Sequence, residues 1–158
     1  MKKMTIPIIA AVLIVAATAG IYFFLFQRAN PALAQNEIRI GDAVFKIEIA
    51  STTIEQARGL SFRKGLEEGH GMLFLFGSGG IKNFWMKDMN FPIDIIWISG
   101  NKVAGFDENA SPQPGAALWN LKVYDSPDDT DKVLEVPAGT VKKDSIAVGD
   151  VIQVGQSK

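Results

Sequence analysis

Apolar and polar positions alternate through short stretches of the chain after residue 36, as they do in β-strands with one buried face. Residues 43–50 show the pattern most clearly, because every second position carries a large apolar side chain: Phe45, Ile47 and Ile49. Turns rich in glycine, proline and acidic residues separate eight or nine such stretches, among them Leu118–Tyr124. The pattern predicts a compact all-β domain, a sandwich or a barrel, with one or two short helices.

One of these helices is predicted from capping signals that follow the second strand. Ser51, Thr52 and Thr53 offer hydroxyl groups for an N-cap, and Glu55 follows in the first turn. Gly59 predicts the end of the helix after two turns, because glycine adopts the conformations found just beyond a helix C-terminus.

The first 35 residues differ from the rest, because residues 6–26 form an apolar run without a charge. A helix of this length spans about 30 Å, the thickness of the hydrocarbon core of a bilayer, so one N-terminal transmembrane helix is predicted. Lys2 and Lys3 precede the run, which places the N-terminus in the cytoplasm and the later domain outside. A second interpretation is a signal peptide cleaved after Ala34, with a periplasmic or secreted product. The predicted organisation is an anchor or signal peptide at 1–27, a linker at 28–36 and one mainly-β domain at 37–156.

Composition excludes several classes of function. The chain has 16 basic and 17 acidic side chains, and this balance argues against nucleic-acid binding. It has no cysteine, which excludes disulfides, a zinc knuckle and a thiol nucleophile. Its single histidine, His70, excludes a His-rich metal site. No phosphate loop or nucleophile elbow is present, so the sequence predicts no catalytic residue and no cofactor.

Several motifs follow one another at a characteristic spacing. They are Glu55–Arg63 (EQARGLSFR), Gly71–Phe76 (GMLFLF), Phe84–Met89 (FWMKDM), Pro92–Trp97 (PIDIIW), Val133–Gly139 (VLEVPAG) and Val148–Asp150. In this order the chain resembles the domain-of-unknown-function 192 family over roughly residues 38–154. The family usually has Met in place of Ser61, and Asn-Thr in place of Asp88-Met89. The resemblance implies a mainly-β domain of jelly-roll type, often exported, and it implies no reaction, because none is established for the family.

Charged side chains in these motifs form the first candidate site, and they are Glu55, Arg58, Arg63, Lys87, Asp94 and Glu135. Asp94 and Glu135 lie within apolar strands, where an unpaired carboxylate is costly, so we expect both to meet a cation from this set. One interpretation is a partly buried ion network that fixes loop packing. The other is a ligand-binding pocket beside Trp85, in which arginine holds a carboxylate or phosphate. The resulting function is non-catalytic binding of a small anionic ligand or of an envelope protein partner.

Two alternatives remain open from the residues alone. Thioether, imidazole and indole groups suit monovalent copper, and the candidate ligands are His70, Met72, Trp85, Met86 and Met89. Against this, methionine commonly fills protein cores, and His70 lies between two glycines in a predicted loop. The other alternative is a hydrolase acting on envelope glycans, with Asp94 and Glu135 as its two acids.

Overall fold

Nine strands and two short α-helices make up residues 35–156, the part of the chain that the computed structural model describes. The strands are β1 (Gln35–Ile40), β2 (Ala43–Ala50), β3 (His70–Leu75), β4 (Asn83–Trp85), β5 (Ile93–Ser99), β6 (Lys102–Ala110), β7 (Val123–Asp125), β8 (Lys132–Pro137) and β9 (Ile152–Gln156). The helices are α1 (Thr53–Arg58) and α2 (Thr140–Lys143), and a 3-10 turn covers Leu118–Asn120. The prediction of a mainly-β domain with one or two short helices is confirmed.

The predicted transmembrane segment, residues 6–26, lies outside the described residues. Within residues 35–156, no helix is both long enough and apolar enough to span a bilayer.

Seven strands form one sheet in the order β6-β5-β8-β3-β2-β1-β9, and β4 pairs with β7 in a separate two-stranded ribbon. Neighbouring strands of the large sheet are antiparallel except β2 and β3, which are parallel. A parallel pair needs a crossover connection, and α1 with the loop after it supplies one.

The sheet curls into a half-barrel whose two edge strands meet at one end. A bridge joins Lys102 at the start of β6 to Val151 beside β9. Around it, the Val103 amide donates to the Asp150 carbonyl at 2.9 Å, and the Ile152 amide donates to the Asn101 carbonyl at 2.8 Å. These bonds join the start of β6 to the start of β9, so the two edges of the sheet are linked at that end.

Each face of the sheet carries its own apolar core. The core inside the curl includes Phe45, Leu73, Ile96 and Leu134, and Val141 of α2 packs into it. The outer face carries a second core, to which β3 contributes Met72 and Phe74. Successive side chains of a strand point to opposite faces, so a strand between two cores is apolar at every position. This explains the unbroken apolar sequence of β3.

The outer core is covered by α1, the loops on either side of it and the ribbon of β4 and β7. The ring of Phe84 in β4 packs edge-on against Phe74 at 5.0 Å and against Trp97 at 5.6 Å between ring centroids. Tyr124 of β7 is buried in the same core. The ribbon therefore rests on the sheet through alternate side chains and leaves Trp85 and Val123 on its outer side.

The predicted N-cap of α1 is confirmed, and Glu55 belongs to it. The Thr52 hydroxyl accepts the Glu55 amide at 3.3 Å, and the Glu55 carboxylate accepts the amides of Ser51 and Thr52 at 3.0 and 2.9 Å. This reciprocal arrangement is a capping box. The two backbone hydrogen bonds lower the pKa of Glu55, with that of Thr52 the larger cause.

Two local predictions are wrong. Residues 118–120 form a 3-10 turn, so only Val123 and Tyr124 of the predicted strand Leu118–Tyr124 belong to a strand, β7. His70 begins β3, whereas the glycines on either side of it predicted a loop. Pairing with β2, in which His70 lies opposite Lys46, extends β3 to His70 and outweighs the local preference of glycine for loops.

Candidate functional site

A row of side chains crosses the outer face of the sheet and includes three carboxylates. The strand registers place Glu48 beside Met72, Met72 beside Glu135, Glu135 beside Ile95, and Ile95 beside Asp107. Paired residues of neighbouring strands point to the same face, so all five lie on the side that carries α1 and the ribbon. The carboxylates of this row have different surroundings.

Glu48 is held by Arg63 in a two-pronged ion pair. The two terminal nitrogens of the guanidinium donate to the two carboxylate oxygens at 2.5 and 2.8 Å. Both side chains are less than one-fifth exposed. Such a pair is strong because planar guanidinium and carboxylate groups match in geometry as well as in charge. Arg63 therefore fixes the loop after α1 to β2, and its fork is occupied by the protein itself.

Glu135, in the middle of β8, is buried among apolar groups. Its side chain is 6% exposed, and its Oε2 atom is buried without a hydrogen-bond partner in the described part of the chain. Burial raises the pKa of Glu135 from 4.5 to about 8, and the nearby positive charge of Arg63 offsets this only in part. The carboxyl group is therefore largely protonated at neutral pH, when it can donate a hydrogen bond as well as accept one.

Glu135 lines an open pocket of about 260 Å³ between the sheet and its cover. Phe74 and Glu135 line the pocket from the sheet, and Phe76, the first residue after β3, lies beside them. One wall comes from the segment Gln56–Ser61, which includes Arg58, and the other from β4, with Met89 beyond it. The volume lies just below the range usual for drug-sized ligands, so the pocket suits a smaller molecule.

Most polar groups around this pocket are already bonded within the protein. The Gln56 side-chain amide donates to the Leu75 carbonyl at 2.6 Å, and the Ser61 hydroxyl donates to the Lys87 carbonyl at 3.0 Å. The Asn83 side-chain amide donates to Asp125 at 2.6 Å. Oε2 of Glu135 is therefore an acidic oxygen at this pocket for which the described residues supply no hydrogen bond.

Asp94 lies on the other face of the sheet from Glu135. It pairs with Val136, and its two oxygens accept the backbone amides of Asn109 and Val141 at 2.9 Å each. The expectation that Asp94 meets a cation is wrong, because backbone amides supply its hydrogen bonds. Its role in the structure is to join the end of β6 and the start of α2 to β5.

The predicted charged set is therefore divided among several places. Arg58, Trp85 and Glu135 line the pocket, and Arg63 lies next to Glu135 but pairs with Glu48. Lys87 forms an ion pair with Asp88 and lines a second, more polar cavity of about 330 Å³.

The predicted metal ligands also lie in different surroundings. Met72 and Met86 are buried in the outer core, Met89 lines both cavities, and His70 is half-buried with its Nδ1 atom 3.2 Å from the Glu68 carbonyl oxygen. No group of three or more His, Cys, Asp or Glu residues within 35–156 is placed to hold a metal ion. Thioether binding of copper, which does not need such a group, stays a prediction.

Neither the aromatic lining of the pocket nor the partner of Arg63 was predicted from the sequence. Phe74, Phe76 and Phe84 form this lining, with Phe84 edge-on to Phe76 at 6.4 Å between ring centroids. A signal was present, because Met72, Phe74 and Phe76 occupy alternate positions and must share a face if the strand is regular. Glu48 gave no such signal, since an acid in an alternating strand normally faces water.

A model of the DUF192 family, described as an uncharacterized ACR, matches residues 35–154 of the chain. This match confirms the resemblance seen in the motifs. No curated protein matches the chain.

Two crystal structures have a similar fold. One is a protein of Sinorhizobium meliloti 1021 described as a candidate transcription regulator, with 28% identity and a TM-score of 0.71. The match covers 80% of this chain and 98% of that one. The other is a protein of unknown function from Novosphingobium aromaticivorans DSM 12444, with 29% identity and a TM-score of 0.68 over 81% of this chain and 95% of that one. Both of those chains consist almost entirely of the matched domain, so we expect a fragment covering residues 35–156 to fold on its own.

Proposed function

The chain belongs to the uncharacterised DUF192 family, and we propose that its domain binds a small organic ligand in the pocket over Glu135 without transforming it. The observation that carries this proposal is the buried Oε2 atom of Glu135, which has no hydrogen-bond partner in the described structure. A buried polar atom without a partner is costly, and a bound molecule that supplies the missing hydrogen bond removes that cost. Perturbed titratable groups in open pockets are a common feature of binding sites.

The ligand is bound rather than hydrolysed, because the pocket offers a single carboxyl group among its described lining residues. Glycoside hydrolysis of the usual kind needs two carboxyl groups on either side of the scissile bond. Asp94, the other candidate acid, lies on the opposite face of the sheet and is bonded to two backbone amides.

The anchor for the ligand is Glu135 rather than the arginine fork expected from the sequence. Arg63 is occupied by Glu48, and Lys87 lies in the second cavity with Asp88. Arg58 lines the pocket and is the residue that could hold an anionic group at another point of the ligand.

The domain acts outside the cytoplasmic membrane, held by residues 6–26 or released by cleavage after Ala34.

A second candidate function, docking of an envelope protein, is favoured by the outer side of the ribbon. Trp85 and Val123 are cross-strand partners there and are 52% and 47% exposed. Large exposed apolar side chains side by side are typical of interaction surfaces.

Screening tests the main proposal. The fragment 35–156 is screened against a library of small metabolites by ligand-observed NMR, beside Glu135→Gln and Glu108→Gln. Glutamine has nearly the shape of glutamate but never ionises. Glu108→Gln is the control, because Glu108 is an exposed residue of another strand, β6. We expect ligands that bind the wild type and Glu108→Gln but bind Glu135→Gln at least about tenfold more weakly. Ligands that bind all three proteins equally would place the site elsewhere and refute the proposal.

A further inference from the structure

We propose that the group recognised by Glu135 is a protonated amine carried on a small apolar or aromatic body. This inference rests on the proposed function, because it names the chemical class of ligand that the same pocket holds. Three features of the described residues support it: the unsatisfied carboxyl oxygen, the charges around it and the aromatic walls.

The first feature is the kind of hydrogen bond that the pocket lacks. Oε2 of Glu135 is buried without a partner, so a ligand must present a donor to it, or an acceptor if the carboxyl group keeps its proton there. An ammonium group has three donors and no acceptor, and it adds an opposite charge to the ionised carboxylate. A hydrogen bond between charged groups is roughly twice as strong as one between neutral groups.

The second feature is the balance of charge around Glu135. Arg63 faces it from the loop after α1, but Glu48 across Met72 neutralises that guanidinium through two hydrogen bonds. Arg58 lines the wall, and Arg63 is the charged neighbour that affects the pKa of Glu135.

Beyond Arg58 and Glu135, no described lining residue of the pocket is charged, although Asp107 lies beyond Ile95 in the same row and Lys82 lies over the ring of Phe76. β5 presents Ile95 beside Glu135, β4 presents the uncharged Asn83 and Trp85, and His70 lies farther along β3 near Glu67. At Glu135 itself, an anion would find the guanidinium of Arg63 already paired with Glu48, whereas an ammonium would complete an ion pair with the ionised carboxylate. Arg58, elsewhere on the pocket wall, could hold an anionic group of the same ligand.

The third feature is the aromatic lining of the pocket, which Phe74, Phe76 and Phe84 form. The faces of such rings attract cations, and their area favours an apolar ligand body. The ring of Phe76 already accepts a cation within the protein, because Nζ of Lys82 lies 4.9 Å from its centroid.

Binding forms no covalent bond between ligand and protein. The ammonium enters with its charge, and the proton of Glu135 leaves to solvent when the ion pair forms.

Three probes of similar shape test this inference: 2-phenylethylammonium, 2-phenylethanol and phenylacetate. Each is titrated at pH 7 into the fragment 35–156, followed by amide chemical shifts, with Glu135→Gln and Glu108→Gln as variants. We expect the amine to bind at least about tenfold more tightly than the alcohol and the acid. This preference should disappear in Glu135→Gln and persist in Glu108→Gln, while circular dichroism shows that both variants are folded.

The other outcomes separate the two proposals. Equal binding of amine and alcohol that is lost in Phe84→Ala would refute amine recognition but retain the pocket as a ligand site. Tightest binding of phenylacetate would overturn the inference in favour of an anionic ligand. If none of the probes binds, the inference fails, and the library screen decides the proposed function separately.

Discussion

Glu135 provides the sharpest test of the structure, because its burial predicts how the free energy of unfolding changes with pH. A carboxyl group whose pKa is raised by folding binds more protons in the folded state than in the unfolded state. Stability therefore falls as the pH rises, and for Glu135 this occurs between the ordinary value of 4.5 and about 8. Below this window the group is protonated in both states and contributes no pH dependence.

The size of the effect follows from the same two values. Each pKa unit corresponds to about 1.4 kcal/mol, so the difference between 4.5 and about 8 has an upper limit on the order of 5 kcal/mol. Water that enters the open pocket lowers the cost of ionisation, and pH 5 already lies inside the window, so we expect a loss of about 2–4 kcal/mol between pH 5 and pH 9. Glutamine at this position has the same shape and no such loss.

Urea unfolding of fragment 35–156 at pH 5, 7 and 9 measures this loss. The wild type and Glu135→Gln should have free energies of unfolding within about 1 kcal/mol of each other at pH 5. At pH 9 the variant should be the more stable by several kcal/mol, whereas Glu108→Gln should follow the wild type. Other titrating groups are common to both proteins and cancel in the difference. Parallel curves for the wild type and Glu135→Gln would show that Glu135 is not buried as described, and would refute the reasoning.

Three further changes test other parts of the structure. Asp94→Asn should cost about 1.5–3 kcal/mol of unfolding free energy, because the variant keeps one of two oxygens that accept backbone amides, and it should leave ligand affinity unchanged. Gly71→Ala should cost about 1–3 kcal/mol of unfolding free energy, because its new Cβ would lie 2.9 Å from the Glu135 carbonyl oxygen. The control Gly65→Ala, whose Cβ meets nothing within 4 Å, should be neutral. Equal melting temperatures for the two variants would contradict this. Arg63→Ala should raise the pKa of Glu135 further, since the arginine charge lowers it, and carboxyl carbon NMR should record the shift.

Much of the fold was predictable because each element carries a local signal. Alternation marked β2, the unbroken apolar run marked β3 as a strand between two cores, and hydroxyl residues marked the start of α1. The closure of the half-barrel was not predictable, since it depends on Lys102 meeting Val151 across a long stretch of chain. The 3-10 turn at Leu118–Asn120 was missed because its apolar residues satisfy a strand pattern equally well.

Several residues of the candidate site could be predicted from the sequence, but the face of the sheet on which each one lies could not. Asp94 and Glu135 both lie in apolar strands, yet the register of β5 against β8 places Asp94 opposite Val136 and Glu135 opposite Ile95. A shift of one residue would have put both acids on the same face, and sequence patterns do not fix register to that accuracy. Two positions of the sequence motifs, Ser61 and Met89, line the pocket.

The two carboxylates on either side of Met72 show why Glu135 points to binding rather than to architecture. Glu48 has a bidentate arginine partner and is part of the packing that holds the loop after α1. Glu135 lies on the other side of Met72, two strands from Glu48, has no such partner, and lowers the stability of the fold above pH 4.5. A leucine there would pack against the same aromatic rings and remove the cost of a buried polar group. A carboxyl group that destabilises the fold and borders an open pocket is explained if a ligand supplies the partner that the protein does not.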